Sequence, residues 1–128
     1  METKLMKLKR FNLIMGFLHL VQAVIMFMLA TSVIQTIAEF QPNITQNYLT
    51  FNPATQSLES ASRVLFELPF GILVACFLLV SAIAHGVIVL NSKTYFIDLQ
   101  KGINKFRWFE YAISSSIMIV LISTLFGI

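Results

Sequence analysis

Four ionisable side chains interrupt long apolar stretches of this sequence: His19, Glu67, His85 and Glu110. An imidazole or a carboxylate in apolar surroundings is costly, so such groups usually have a function. Histidine accepts and releases protons near neutral pH, and a carboxylate stabilises a nearby buried cation. These residue types therefore indicate proton transfer or the binding of a positively charged group.

Three of these residues lie within three helical turns of a basic flank. The nearest basic residue is nine positions from His19, eight from His85 and three from Glu110. Along a helix, these separations correspond to roughly 13, 12 and 5 Å. All three are therefore predicted in the same half of a membrane, on three different helices. Glu67 differs because Arg63, four residues earlier, is expected to pair with it at the opposite surface.

Helical spacing adds polar neighbours to each group. Asn12 and Gln22 share a face with His19, Ser81 lies one turn from His85, and Ser114 lies one turn from Glu110. The pattern predicts a shared polar cavity. Two alternatives remain open: each histidine bonds only a nearby serine or backbone group as part of helix packing, or Glu110 pairs with Arg107 at headgroup level. The serines from Ser114 to Ser116 fit either close helix packing or a pocket.

The elements that position these groups follow from composition. Apolar and aromatic residues make up 57% of the 128 residues, charged residues make up 12%, and the mean hydropathy is +0.80. This composition excludes an ordinary soluble domain and a disordered chain. The single cysteine excludes a disulfide scaffold. Three continuous apolar blocks are each long enough to cross a bilayer as a helix. We predict an all-α integral membrane bundle with spans at 11–34, 64–90 and 106–128, all within a single membrane domain.

Basic residues predict the orientation. Residues 1–10 and the connection after the second span carry all but one of the lysines and arginines, whereas the connection 35–63 contains only Arg63, at its end. The positive-inside rule then places the N-terminus in the cytoplasm and the connection 35–63 outside the cell. The net charge of +3 is explained by the orientation of the spans and by contact with anionic lipids of the bilayer. We therefore expect no nucleic-acid partner. A secretory signal peptide is the alternative interpretation of the N-terminal segment. The apolar region of a signal peptide, however, is shorter than the apolar run of the first span.

The outer connection 35–63 is longer than a simple turn requires. Residues 48–51 favour a strand and Asn52-Pro53 favours a turn, so a short hairpin across 52–55 and an ordered loop without strands are both open. Asn43 begins a glycosylation sequon of weak specificity. The last span reaches Ile128 without a polar tail, so we expect the chain to have been cut where this span meets the outer surface.

Three segments together resemble the heliorhodopsins, and they occur in the order of that family. Residues 107–122 read RWFEYAISSSIMIVLI and resemble the third helix. RFN at 10–12 with LHLVQ at 18–22 resembles the first helix, and FLLVSAIAH at 77–85 resembles the second. The resemblance implies a seven-helix, retinal-binding photoreceptor with a cytoplasmic N-terminus. It also implies all-trans-retinal as cofactor, a hairpin in the long first connection and a homodimer.

The resemblance also implies roles for individual residues. Glu110 corresponds to the counterion of the protonated retinal Schiff base. A polar cavity that tunes this group or accepts its proton would contain His19, His85, Ser81, Asn12 and Gln22. By helical phase and analogy with other rhodopsins, four residues would face the polyene: Tyr111, Ser114, Ser115 and Met118. No metal site and no enzymatic activity are expected, since nucleotide and hydrolase motifs are absent from the sequence.

One feature of the family is not met by these residues. Heliorhodopsins attach retinal to a lysine of the seventh helix, whereas every lysine here flanks a span: Lys4, Lys7, Lys9, Lys93, Lys101 and Lys105. We expect that this chain alone forms no covalent retinyl adduct. Two alternatives to a photoreceptor remain: a three-helix membrane assembly subunit, and a protein that ligates haem through His19 and His85.

Overall fold

The computed structural model describes residues 2–33 and 35–126. Ile34, Gly127 and Ile128, which the predicted spans include, lie outside the described residues. A π-helical stretch, Leu29–Val33, follows the first helix directly. The elements, in chain order, are α1 (Glu2–Met28), α2 (Gln35–Ala38), β1 (Asn43–Asn52), β2 (Ser57–Glu67), α3 (Phe70–Leu90), α4 (Ser92–Gln100) and α5 (Lys105–Phe126).

The helical membrane class is confirmed. Three helices are long and apolar enough to cross a membrane, at Thr3–Thr31, Phe70–Leu90 and Lys105–Phe126. Large apolar side chains on their outer faces are exposed, as lipid contact requires, including Phe17, Ile83 and Ile119. We call the end of the bundle near the α3–α5 connection the basic side and the opposite end the hairpin side.

The predicted start of the second span at Val64 is wrong. Residues 57–67 form β2, and α3 begins only at Phe70. The cause is Pro69, because the residue before a proline is disfavoured in the α conformation and Leu68 therefore stays extended. The Leu68 backbone N–H donates to the Pro42 carbonyl at 3.0 Å and so prolongs the strand pairing.

Residues 43–67 form an antiparallel hairpin, so of the two alternatives for the outer connection the structure has the one with strands. The pairing runs from Asn43 opposite Glu67 to Asn52 opposite Ser57, with a register shift between Ile44 and Thr45. The expected ion pair of Glu67 with Arg63 is wrong, because it required a helix. Along a strand, residues four apart are separated by roughly 13 Å.

The tip of the hairpin is held by Glu59. Its Oε1 accepts hydrogen bonds from Asn52 Nδ2 at 2.9 Å and from Thr55 Oγ1 at 2.8 Å. These bonds stabilise the charged carboxylate, the bond from Asn52 most, and hold the pKa of Glu59 below its ordinary value. Gln56 closes the turn with a positive φ of 48°.

Helix α3 lies at the centre of the three long helices and packs against both α1 and α5. Near the hairpin side the α1–α3 interface consists of small residues. A Cβ added to Gly71 would lie 2.7 Å from the Ala30 Cβ, and Ala23 and Ala75 are buried nearby. Small side chains let two helix backbones approach closely, which is a main source of helix association in lipid.

On the basic side, α4 connects α3 to α5, an element that the sequence analysis did not predict. Its Tyr95 is buried, and the ring meets the edge of Phe106 with 5.8 Å between centroids. Gly102 has a φ of 73°, a left-handed conformation that favours glycine and turns the chain toward α5.

Candidate functional site

The polar residues predicted from three separate helices meet in the basic half of the bundle. Asn12 on α1 bonds His85 on α3, and Ser81 on α3 bonds Glu110 on α5. Asn12 and Ser81 are buried, and His85 and Glu110 are half-buried. The central helix therefore contributes one polar link to each of its neighbours.

The link between α1 and α3 has a defined direction. Asn12 Nδ2 donates to the Leu8 carbonyl at 2.9 Å, so Oδ1 is the acceptor atom of the amide. His85 Nδ1 lies 2.8 Å from that oxygen and must carry the hydrogen. In the neutral ring, Nε2 is then the nitrogen that accepts a proton. Gly16 makes room for this ring, since a Cβ there would lie 3.0 Å from the His85 Cβ.

The link between α3 and α5 orients the carboxylate. Ser81 Oγ donates to Glu110 Oε1 at 2.9 Å. The alternative in which Glu110 pairs with Arg107 is not what forms: the Arg107 guanidinium lies 4.9 Å from the centroid of the Tyr111 ring, and its Nε donates to the phenol oxygen. Glu110 thus lies at the interface between α3 and α5.

His19 joins this cluster through its ring. The imidazoles of His19 and His85 stack with 5.6 Å between centroids and 13° between planes. His19 Nδ1 also lies 3.2 Å from Gln22 Oε1 within the same helix. Gln22 itself is exposed and forms the edge of the cluster.

A cavity of about 470 Å³ opens beside these groups. Its polar wall contains Asn12, His85 and Glu110, all of which the sequence predicts. Two further polar residues, Tyr95 and Arg107, were not predicted to line it. The signal for Tyr95 was an aromatic residue in a connection otherwise rich in polar residues. The complete lining is Leu8, Phe11, Asn12, Met15, His85, Ile88, Tyr95, Arg107, Glu110 and Tyr111.

The four residues predicted to face a polyene fall into two groups. Ser114 is buried, on the same side of α5 as Glu110. Tyr111, Ser115 and Met118 are exposed and share one face of α5 at i, i+4 and i+7. Ser115 Oγ donates to the Tyr111 carbonyl, which leaves a mostly apolar surface along this face.

Within residues 2–33 and 35–126, no group of three or more His, Cys, Asp or Glu side chains is arranged to hold a metal ion. Cys76 is a free thiol on the outside of α3. The polar cluster therefore offers a proton-accepting imidazole and an oriented carboxylate as its chemical groups.

Comparison with protein families finds a match over nearly the whole chain. The family model described as heliorhodopsin matches residues 8–128, which include most of α1 and all of α3 and α5. No curated protein matches the chain.

Proposed function

Because the chain belongs to the heliorhodopsin family, we propose that it is part of a light-sensing retinal photoreceptor in which Glu110 is the counterion of the protonated Schiff base. The observation that carries this proposal is the position of Glu110. It lines the cavity between the helices and is oriented by Ser81 from the neighbouring helix. A fixed carboxylate in a poorly solvated site stabilises a cation strongly, because little water competes with it.

The residues present fit one half of a retinal site. The cavity has a carboxylate on its polar side and apolar or aromatic neighbours in Phe11, Met15 and Tyr111. When bound, retinal supplies a conjugated chromophore whose protonated Schiff base absorbs visible light. The linking lysine of the family lies on a seventh helix, and the six lysines of this sequence all flank the apolar spans. This chain therefore supplies the counterion side of the site.

The histidines have a separate proposed role. His85 uses Nδ1 to donate to Asn12, so Nε2 remains as the acceptor of a proton released in the cavity. His19 stacks on His85 and, with Gln22, extends the polar region along α1. We assign His85 the direct proton-accepting role and His19 a tuning role.

The stacked imidazoles favour this assignment over haem binding. A haem held by two histidines needs one ring nitrogen from each side directed at the iron, with the porphyrin between them. The His19 and His85 rings instead lie face to face, 5.6 Å apart and nearly parallel.

Charge and hairpin geometry support the remaining parts of the proposal. Residues 1–10 and the segment 91–107 lie on the cytoplasmic side, because they hold all but one of the basic residues. The hairpin lies outside the cell, where its exposed strands fit a contact between two copies in a homodimer.

The test is the absorption spectrum of the full-length protein supplied with all-trans-retinal. We expect Glu110→Gln to red-shift the visible band, because the negative charge beside the Schiff base is removed. Alternatively, the Schiff base should lose its proton, and the visible band should disappear, at a less alkaline pH than in the wild type as the pH is raised. Glu59→Gln is the matched control, since this carboxylate lies on the hairpin. An unchanged spectrum and pH profile in Glu110→Gln would exclude Glu110 as the counterion, and the absence of any visible band would favour the assembly subunit.

A further inference from the structure

A second, apolar groove runs between α1 and α3 on the side of α3 away from the polar cavity. Its volume is about 500 Å³, within the roughly 300–1,000 Å³ range of small-molecule sites. Ile83 and Gly86 line this groove, whereas His85 and Ile88 line the polar cavity. Exposed Phe17 and Leu20 belong to its α1 wall, and Asn12 at its edge also lines the polar cavity. The rest of the lining is apolar and suits a hydrocarbon chain.

The groove covers half of the membrane. Its α3 wall extends from Leu79 to Leu90, a rise of roughly 16 Å along a helix. The hydrocarbon core of a bilayer is about 30 Å thick, so this length matches one leaflet. Toward the hairpin side the groove ends, because Gly71 and Ala30 bring the two helices together. A membrane-spanning partner helix would follow the full length of α3, whereas one acyl chain of a lipid needs only this half.

Among the described residues, the glycine at position 86 is required neither for a close helix contact nor for a positive φ. Gly16 and Gly71 allow close helix contacts, and Gly102 adopts a positive φ. A Cβ added to Gly86, in contrast, would meet nothing within 4 Å. Glycine in a helix costs about 1 kcal/mol relative to alanine in water, so its presence here needs a reason. Its missing side chain deepens the groove.

Two exposed lysines lie close in sequence to the residues that line the groove at its basic-side end. Lys9 is exposed and precedes Leu13 of the groove by one helical turn, on the same face of α1. Lys93 is exposed and follows Leu90 by three residues, in the first turn of α4. Lysines at the membrane surface attract anionic headgroups.

We propose that the α1–α3 groove binds one anionic phospholipid, with an acyl chain along Gly86 and the phosphate near Lys9 and Lys93. The inference does not depend on the proposed photoreceptor function. The shape of the groove provides contacts for the chain, and the lysines provide the preference for an anionic headgroup.

The experiment is native mass spectrometry of the full chain with phosphatidylglycerol or phosphatidylcholine of identical acyl chains. We expect the wild type to retain one phosphatidylglycerol in preference to phosphatidylcholine. Gly86→Leu should lose this adduct, because the leucine side chain occupies the groove and its Cβ meets nothing within 4 Å. Ala112→Leu is the control, since it adds an exposed leucine on α5, away from the groove. Lys9→Gln with Lys93→Gln should lower the preference for the anionic lipid by roughly fivefold per charge.

Three results would overturn the proposal: equal retention of both lipids by the wild type, an unchanged adduct in Gly86→Leu, or a lipid-free oligomer that Gly86→Leu dissociates. The last would mean that a second copy covers the groove. Should Gly86→Leu fail to fold, wild-type protein is photo-crosslinked to phosphatidylglycerol with a photoreactive acyl chain. Adducts at Phe17, Leu20 or Ile83 support the site, and adducts confined to other surfaces refute it.

Discussion

The α1–α3 interface is built differently in its two halves. Near the hairpin side, Gly71 and Ala30 bring the backbones into contact. Near the basic side, Gly16 also allows a close approach, but Asn12 and His85 add a hydrogen bond there, and cavities open beside it. One half of the interface thus relies on close packing of small residues, whereas the other combines a close approach with a polar link.

The largest effect is expected in the close-packed half. Gly71→Ala should destabilise the bundle by about 1–3 kcal/mol, because the new Cβ overlaps the Ala30 side chain and forces the helices apart. Gly86→Ala is the matched control and should be neutral or stabilising by up to about 1 kcal/mol. Unfolding in detergent, followed by circular dichroism, measures both. Equal stability of the two variants would contradict the contrast drawn between the halves.

A smaller effect is expected in the polar half. A double-mutant cycle of Asn12→Ala and His85→Ala should give a coupling energy of about 0.6 kcal/mol, with roughly 1.7 kcal/mol as the upper range for such bonds in membranes. Gln22→Ala with His19→Ala provides the comparison, since Gln22 is exposed and its bond stays within one helix. An equal coupling energy for the His19–Gln22 pair and the Asn12–His85 pair would contradict the prediction that the bond between helices contributes more to stability.

The smallest effect concerns the hairpin, outside both halves. Because the folded hairpin lowers the pKa of Glu59, this carboxylate contributes stability above the ordinary glutamate pKa of about 4.3. That contribution disappears as the pH falls through the lower, folded-state value. The amide protection factors of residues 43–67, corrected for the intrinsic pH dependence of exchange, should fall in acid, and the fall should be smaller in Glu59→Gln. Identical acid profiles of variant and wild type would assign the loss to other groups.

The sequence was sufficient for the three helices and for the polar residues on each of them, because long apolar runs and rare ionisable groups are strong signals in a membrane. The sequence did not predict where α3 begins. The run Val64 to Phe66 is as apolar as a helix end, and hydropathy alone does not reveal that it pairs with β1. The helix α4 was missed because its pattern is short and only weakly apolar.

Pairing between helices was the other feature that sequence reasoning did not supply. The spacing of three residues between Arg107 and Glu110 left open whether these two side chains pair. In the structure Arg107 lies along Tyr111, and Glu110 instead accepts a hydrogen bond from Ser81 of α3. Pairing across helices is thus decided by packing, which spacing along one helix does not contain.

The link between Asn12 and His85 also bears on how the chain is made. Both groups must leave water when their helices enter the membrane, and each would be exposed to lipid if its helix entered alone. As α1 and α3 are consecutive spans, they can enter as a paired unit whose amide and imidazole are already bonded. We expect biosynthetic insertion of α1 to be completed only when α3 has emerged, with the hairpin translocated between them.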